Sequence, residues 1–195
     1  MLQDDYYVIE SENNDNYPMF SWDQMSDGFG IGVPATVTEP VKFRLGEPIS
    51  PKFEWVDYHV VPSPVISKLI ADVLRPLDIC GVQLIPAKVR NPQDPFSAVH
   101  DYWYLHVWNR ISCVDKNNSD VQYFKDGKIF SIDELVLDDS ILSKIELPKR
   151  LVFELSEKNS VLLIHKLVKE AIMSVAPKGC RFFKVSDWNS DSTFE

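Results

Sequence analysis

The sequence predicts an α+β fold, in which a mostly antiparallel sheet packs against two principal amphipathic helices after an irregular acidic N-terminal portion. Three observations lead to this prediction. Short segments rich in aromatic and β-branched residues recur along the chain, which is typical of strands. Two longer segments repeat apolar residues at helical spacing. An Asp-Gly pair between two strand-like segments indicates a hairpin, and hairpins join antiparallel strands.

The composition is that of a globular protein. The 195 residues are 45% hydrophobic and 12% aromatic, which is enough to bury a core without disulfides. The three cysteines, Cys80, Cys113 and Cys180, are widely spaced and fit reduced thiols better than a disulfide framework or a zinc site. We find no long apolar run and no secretory leader, so we expect a cytoplasmic protein without a transmembrane helix.

The charge is unevenly distributed along the chain. The net charge is −9, of which residues 1–60 hold −8 and residues 61–195 hold −1. We predict a boundary near residue 52, with an acidic, aromatic- and glycine-containing portion over 1–52 and an α+β domain over 53–195. Nucleic acid is not expected as a partner because its phosphates would be repelled, whereas a basic protein would be attracted. An ordinary solvated surface is the alternative explanation.

The N-terminal portion contains two strand-like segments separated by loops. Residues 6–9 form a short strand candidate, and the acidic, Asn-rich residues 10–16 read as a loop. Residues 17–36 mix aromatic residues with glycines, and the Gly28–Gly32 alternation indicates a turn rather than a phosphate-binding loop. Residues 41–45 alternate as a second strand.

The first helix is predicted over residues 65–77, since apolar side chains recur there at helical spacing. Ser63 suits the N-cap and Pro64 suits the first helical position. A strand follows over residues 82–89. Its Pro86 suggests an edge strand or a bulge, because proline cannot donate a hydrogen bond to a neighbouring strand.

The longest predicted strand covers residues 100–113 and contains neither glycine nor proline. The side chains of one face are predicted to lie in the core, and they are Trp103, Leu105, Val107, Ile111 and Cys113. The other face holds Tyr102, Tyr104, His106, Trp108 and Arg110. Tyr, Trp and Arg are enriched at interface hot spots, so this face is either a second packing layer, which we favour, or a recognition surface.

The C-terminal half predicts a hairpin around Asp126-Gly127, a strand over residues 151–155, a second helix over 167–175 and a final strand over 181–185. Residues 58–89 and 161–185 share one order: extended segment, helix, proline, glycine, strand. Their residue identity is slight, so we interpret the likeness as a shared supersecondary arrangement and not as a repeat.

We find no signature of catalysis, of a metal site or of a cofactor. His100 and His106 share a strand face but lie roughly 20 Å apart, too far to bind one metal ion. Cys113 could act as a nucleophile with a distant histidine, although a buried small apolar side chain is the favoured interpretation. The chain is therefore predicted not to be an enzyme, with no catalytic residue, no metal ligand and no cofactor.

Six packing motifs of this chain occur in a familiar order: Val61–Leu69, Gly81–Ala87, Tyr102–Val107, Leu151–Leu155, Val161–Leu167 and Gly179–Phe182. Together they resemble the bacterial polymorphic-toxin immunity protein family eleven, over about residues 53–188. Where many members show serine after the late strand, this sequence has His165, which leaves the cap of the second helix open.

The resemblance implies an immunity protein that binds and neutralises a cognate toxin of the same bacterium, an effector of type VI or contact-dependent secretion, without turnover. If that toxin is a nuclease, acidic side chains could occupy its basic active site. An adaptor or chaperone that loads the toxin, and an enzyme that reverses its modification, are the alternatives. Membranes are not expected as partners. The candidate partner-binding residues are Asp4, Asp5, Glu10, Glu12, Asp15, Asp23, Asp27, Tyr104, Trp108 and Arg110.

Overall fold

The computed structural model describes residues 1–25, 29–94 and 96–194. Within these ranges the chain forms 13 strands and three α-helices, and the strands pair mostly in antiparallel fashion. The predicted α+β class is confirmed.

The strands, in chain order, are β1 Tyr6–Ser11, β2 Phe20–Trp22, β3 Val41–Leu45, β4 Tyr58–His59, β5 Val65–Ile66, β6 Val82–Arg90, β7 His100–Val107, β8 Arg110–Ile111, β9 Asp120–Tyr123, β10 Ile129–Glu134, β11 Val152–Leu155, β12 Leu162–His165 and β13 Cys180–Lys184. The helices are α1 Lys68–Leu74, α2 Asp139–Leu142 and α3 Lys166–Met173. Short 3-10 turns lie at Leu2–Asp5, Leu147–Arg150, Val185–Asp187 and Ser192–Phe194.

The strands are arranged in two main sheets and one hairpin. The five-stranded sheet has the order β13-β1-β12-β11-β8, the six-stranded sheet has the order β2-β3-β6-β7-β5-β4, and β9 pairs with β10. The described pairings are antiparallel except for β3 with β6 and β8 with β11. The hairpin around Gly127 is as predicted, with Gly127 at a φ of +83°.

The predicted single strand over residues 100–113 is wrong in its second half, because the chain leaves one sheet and enters the other. β7 ends at Val107, and β8 pairs with β11 of the five-stranded sheet. The N–H groups of Trp108 and Asn109 both donate to the Gly81 carbonyl, at 3.0 and 3.2 Å. Gly81 has a φ of +81°, and a Cβ there would lie 2.3 Å from Asn109 Cβ, so only glycine fits this crossing.

The predicted first helix begins three residues too early. Val65 and Ile66 form β5 and pair with Tyr104 and Trp103 of β7, so α1 starts at Lys68 with Ser67 at the N-cap position. Pairing with a central strand thus outweighs the local helical pattern. The sequence leaves the N-cap of α3 undecided. In the structure His165 is the N-cap residue, because its Nδ1 accepts a hydrogen bond from the Leu167 N–H at 3.3 Å.

The likeness in element order between residues 58–89 and 161–185 is matched by a shared arrangement of strands and helix in the structure. The strands β5 and β6, joined through α1, flank β7 on both sides, and the strands β12 and β13, joined through α3, flank β1 in the same way. The helices α1 and α3 pack in one apolar core with residues of both sheets, among them Ile9, Leu105 and Ile164. β6 is an interior strand, but its pairing with β3 starts at Ala87, so no strand of the described residues lies opposite Pro86 on that side.

An aromatic layer covers the other face of the six-stranded sheet. Tyr102, Tyr104 and His106 of β7 are buried there, which supports packing over recognition for these three residues. The N-terminal portion supplies much of the cover, through Phe20, Trp22 and Phe29, and Phe53 and Trp55 just beyond it add to this cover. Residues 1–52 also contribute β1 to one sheet and β2 and β3 to the other. The boundary near residue 52 stays a prediction.

Candidate partner-binding cleft

A cleft of about 440 Å³ lies where the two main sheets meet. One wall is the end of β1 with the loop that follows it, and the other is β4 with the residues on either side. Smaller contributions come from Pro48, Ser50, Gly179 and Phe194. A volume of this size is in the range of sites that accept small ligands or side chains of a partner.

Hydrogen bonds between distant segments hold the walls of the cleft in place. The Val60 N–H donates to Ser11 Oγ at 3.0 Å, which ties the residue after β4 to β1. The Glu12 N–H donates to the Gly179 carbonyl at 3.0 Å, and Asn13 Nδ2 donates to the Phe194 carbonyl at 2.9 Å. The cleft is therefore formed by the fold before any partner arrives.

Gly179 is required at the floor of the cleft. Its φ is +84°, and a Cβ added to it would lie 2.7 Å from Val56 Cβ. Both the backbone conformation and the close approach exclude larger residues at this position. The turn after α3 can therefore reach β4 and accept the hydrogen bond from Glu12.

The cleft combines exposed apolar side chains with two exposed carboxylates. Met19, Val61 and Phe194 line it and are 59%, 45% and 78% exposed. Glu12 and Asp15 also line it and are exposed. Among the described residues, none of the lining side chains is a lysine or an arginine. Large apolar side chains grouped on a surface beside polar ones are typical of interaction sites.

His59 adds no positive charge to the cleft near neutral pH. Its Nδ1 lies 3.0 Å from the Pro18 carbonyl, which can only accept, so Nδ1 carries the proton of the neutral ring. The ring is 4% exposed and stacks on Phe20 at 3.6 Å between centroids. Burial lowers the pKa of His59 to about 4. Burial also raises the pKa of the neighbouring Tyr58 well above its ordinary value, so this wall is uncharged.

Of the candidate residues that the structure describes, only Glu12 and Asp15 lie at this cleft. Asp4 and Asp5 lie at the opposite end of β1, roughly 20 Å away for a strand of this length. Asp4 accepts a hydrogen bond from the N-terminal ammonium group at 2.8 Å. Asp5 accepts one from Lys166 Nζ at 2.7 Å, and that contact holds the pKa of Asp5 below its ordinary value.

Glu10 and Asp23 have structural contacts of their own. Glu10 is buried and its Oε1 accepts a hydrogen bond from Trp188 Nε1 at 3.2 Å. Asp23 forms a two-point ion pair with Arg90, which lowers the pKa of Asp23. Asp27 lies outside the described residues.

The three candidates from the central segment are also separated. Tyr104 is only 6% exposed, within the aromatic layer. Trp108 is half-buried and stacks against His106 at 5.7 Å between ring centroids. Arg110 donates to the Leu155 and Ser156 carbonyls at 3.4 and 3.2 Å, and so fastens the chain after β11. The structure thus places Glu12 and Asp15 at one cleft and leaves the other described candidates outside it.

Sequence reasoning missed the apolar part of the cleft. Met19, Val61 and Phe194 carry no periodic pattern, and they meet only because residues 11–13 contact residues 60, 179 and 194. It also missed an exposed aromatic patch on the β9–β10 hairpin. Tyr123, Phe124 and Phe130 are 49%, 54% and 55% exposed there, and Phe124 meets Phe130 edge-on at 4.9 Å.

The described part of the chain contains no group of three or more His, Cys, Asp or Glu side chains that could hold a metal ion. None of the helices in the same residues has the length and apolar character that crossing a membrane requires.

The model of an immunity protein family, Imm11, matches residues 2–187. This range includes most of the N-terminal portion, which the sequence motifs had covered only loosely. No curated protein matches the chain.

Proposed function

We propose, since the chain belongs to the immunity protein family Imm11, that it binds a cognate antibacterial toxin of the same bacterium directly. Binding blocks the toxin in the cytoplasm of the producing cell, without turnover and without a cofactor. The proposed toxin is an effector of a type VI or contact-dependent secretion system. The observation that carries this proposal is the extent of the family match, which spans residues 2–187 of 195.

The cleft supports direct binding because it has the makeup of a protein interface. Interfaces combine an apolar centre with a polar rim, and their energy depends on a few well-placed side chains. Met19, Val61 and Phe194 provide exposed apolar surface, and Glu12 and Asp15 provide charge beside it. Because the walls are already hydrogen-bonded, little conformational entropy is lost when a partner docks.

A nuclease is the toxin class that we propose first. Its active site must attract phosphates and is therefore basic, and acidic side chains of an inhibitor complement such a site. The acidic residues that flank β1 lie in two groups at its opposite ends, roughly 20 Å apart. We therefore assign the contact to one group, Glu12 and Asp15, and not to the whole acidic portion.

Co-expression with the toxin encoded by the neighbouring gene tests this proposal. We expect the cells to survive, and the purified proteins to form a stable complex with about one chain per toxin. Survival without a complex, at an immunity-to-toxin ratio far below one, would instead identify an enzyme that reverses the toxin's modification. Protection that requires the rest of the secretion machinery would identify an adaptor or chaperone.

A further inference from the structure

The charge of the cleft selects the kind of group that can enter it. Glu12 and Asp15 are exposed carboxylates, and the structure gives neither of them an ion-pair partner among the residues it describes. The nearby Lys178 is already paired with Glu54, at 3.6 Å. Since His59 is neutral at pH 7, the charged groups that line the described cleft are negative. A cationic group would be attracted and an anionic group would be repelled.

The apolar side chains of the cleft indicate which kind of cationic group it accepts. Lysine and arginine have long methylene stems that pack along apolar surface while their charged ends reach polar groups. Met19, Val61 and Phe194 offer such a surface within the same cleft as the two carboxylates. Methionine also adapts its shape to the side chain that it contacts. A small inorganic cation would use the carboxylates but would leave the apolar side chains exposed.

One other charged surface among the described residues lacks this combination. On the exposed end of β3 and β6, Lys88 is paired with Asp101 and Arg90 with Asp23, and Lys42 lies 3.6 Å from Glu39. These cations are compensated within the chain. The carboxylates of Glu12 and Asp15 in the cleft have no compensating cation among the described residues.

We infer that the cleft receives a segment of the toxin in which a lysine or arginine stands beside an apolar residue. This inference rests on the proposed function and adds the chemistry of the contact to it. The cation lies against Glu12 and Asp15, and the apolar residue and the methylene stem lie against Met19, Val61 and Phe194.

Affinity measurements with the full-length chain and the neighbouring-gene toxin test the inference. The double variant Glu12→Gln/Asp15→Asn removes both charges with little change in size. We expect it to weaken binding at least about ten-fold and to reduce the dependence of Kd on salt, because a charge contact at an interface is lost. Phe194→Ala should also weaken binding, but without changing the salt dependence.

The matched control is Asp78→Asn/Glu134→Gln, since these two acids are exposed and lie outside the cleft. It removes the same charge, and its Kd should stay within about two-fold of the wild-type value. If the wild type forms a complex and the cleft variant binds equally well, the inference is overturned while the proposed function stands. If the wild type forms no complex, the proposed function itself fails. Equal weakening by both variants would mean that only net charge matters, which also overturns the inference.

Discussion

Acidic residues flank both ends of β1, yet their contacts within the chain differ. At the first end, Asp4 contacts the N-terminal ammonium group and Asp5 contacts Lys166. The backbone there is also tied down, because the Leu2 and Gln3 N–H groups donate to Asp139 at 3.0 and 3.2 Å. At the second end, Glu12 and Asp15 lie beside exposed apolar side chains in a cleft.

This difference shows what a count of acidic residues leaves out. A carboxylate with a cation of its own chain stabilises the fold slightly and offers little to a partner, because a new partner must compete with the existing one. A carboxylate without such a cation adds little to stability but remains available for binding. We therefore expect substitutions at the first end to change stability, and substitutions at the second end to change affinity for the toxin.

Deletion of the segment that contains β1 and the acidic residues at both of its ends should have the largest effect on stability. Deleting residues 1–52 removes β1, which lies between β12 and β13, and also removes β2 and β3. We expect fragment 53–195 to show no cooperative thermal transition, because a central strand and much of the aromatic layer are missing. A circular dichroism melt measures this. A cooperative transition near that of the full chain would instead establish the predicted boundary as the edge of an independent folding unit.

At the cleft end, Gly179→Ala should lower the free energy of unfolding by about 3 kcal/mol. The new Cβ meets Val56 and must also accept a positive φ. Gly127→Ala is the matched control, since Gly127 has nearly the same φ but no atom within 4 Å of an added Cβ. We expect the control to cost about 1 kcal/mol. Equal losses in urea denaturation would show that the contact with Val56 is not tight.

The neutral wall of the cleft predicts a dependence of stability on pH. The pKa of His59 is lowered from 6.5 to about 4 in the folded chain, so between these pH values the unfolded state binds the extra proton. Stability therefore falls as the pH falls through this window, and His59 should account for a loss of about 2 kcal/mol between pH 7 and pH 5. Urea denaturation of His59→Asn should show a smaller loss of stability between pH 7 and pH 5. An unchanged pH dependence would show that folding does not lower the pKa of His59.

At the first end, Asp5→Asn should lower stability only slightly, by less than about 1 kcal/mol, as for other exposed ion pairs. Because Lys166 holds the pKa of Asp5 below 3.8, its contribution is present at neutral pH and is lost as the pH falls below about 4. Glu12→Gln should leave stability unchanged in the same denaturation experiment. A larger loss for Glu12→Gln than for Asp5→Asn would reverse the comparison.

Local patterns predicted those elements whose structure depends on neighbouring residues. The hairpin at Asp126-Gly127 is present, the strand at residues 41–45 has the predicted bounds, and the helix predicted over 167–175 forms α3 at Lys166–Met173. Local patterns gave wrong predictions where contacts with a segment distant in sequence determine the structure. Val65 and Ile66 have a helical spacing, but they pair with β7. The segment after Val107 continues an alternating pattern, but Gly81 turns it into the other sheet.

The cleft could be predicted only in part, for the same reason. Glu12 and Asp15 were selected because they belong to an acidic segment, which is visible in the sequence. Glu10 belongs to the same segment and is buried against Trp188, a contact between residues 178 positions apart. Met19, Val61 and Phe194 come together through three separate segments, and no spacing rule joins them.

A single pair of matched substitutions tests most directly whether the cleft end of β1 is the one that contacts the toxin. Glu12→Lys and Asp4→Lys each reverse one exposed charge, at opposite ends of the strand. Calorimetric titration of the toxin should give a Kd about ten-fold or more weaker for Glu12→Lys, and within about two-fold of wild type for Asp4→Lys. Unchanged binding by Glu12→Lys, or a larger loss for Asp4→Lys, would contradict the assignment of the toxin contact to the cleft.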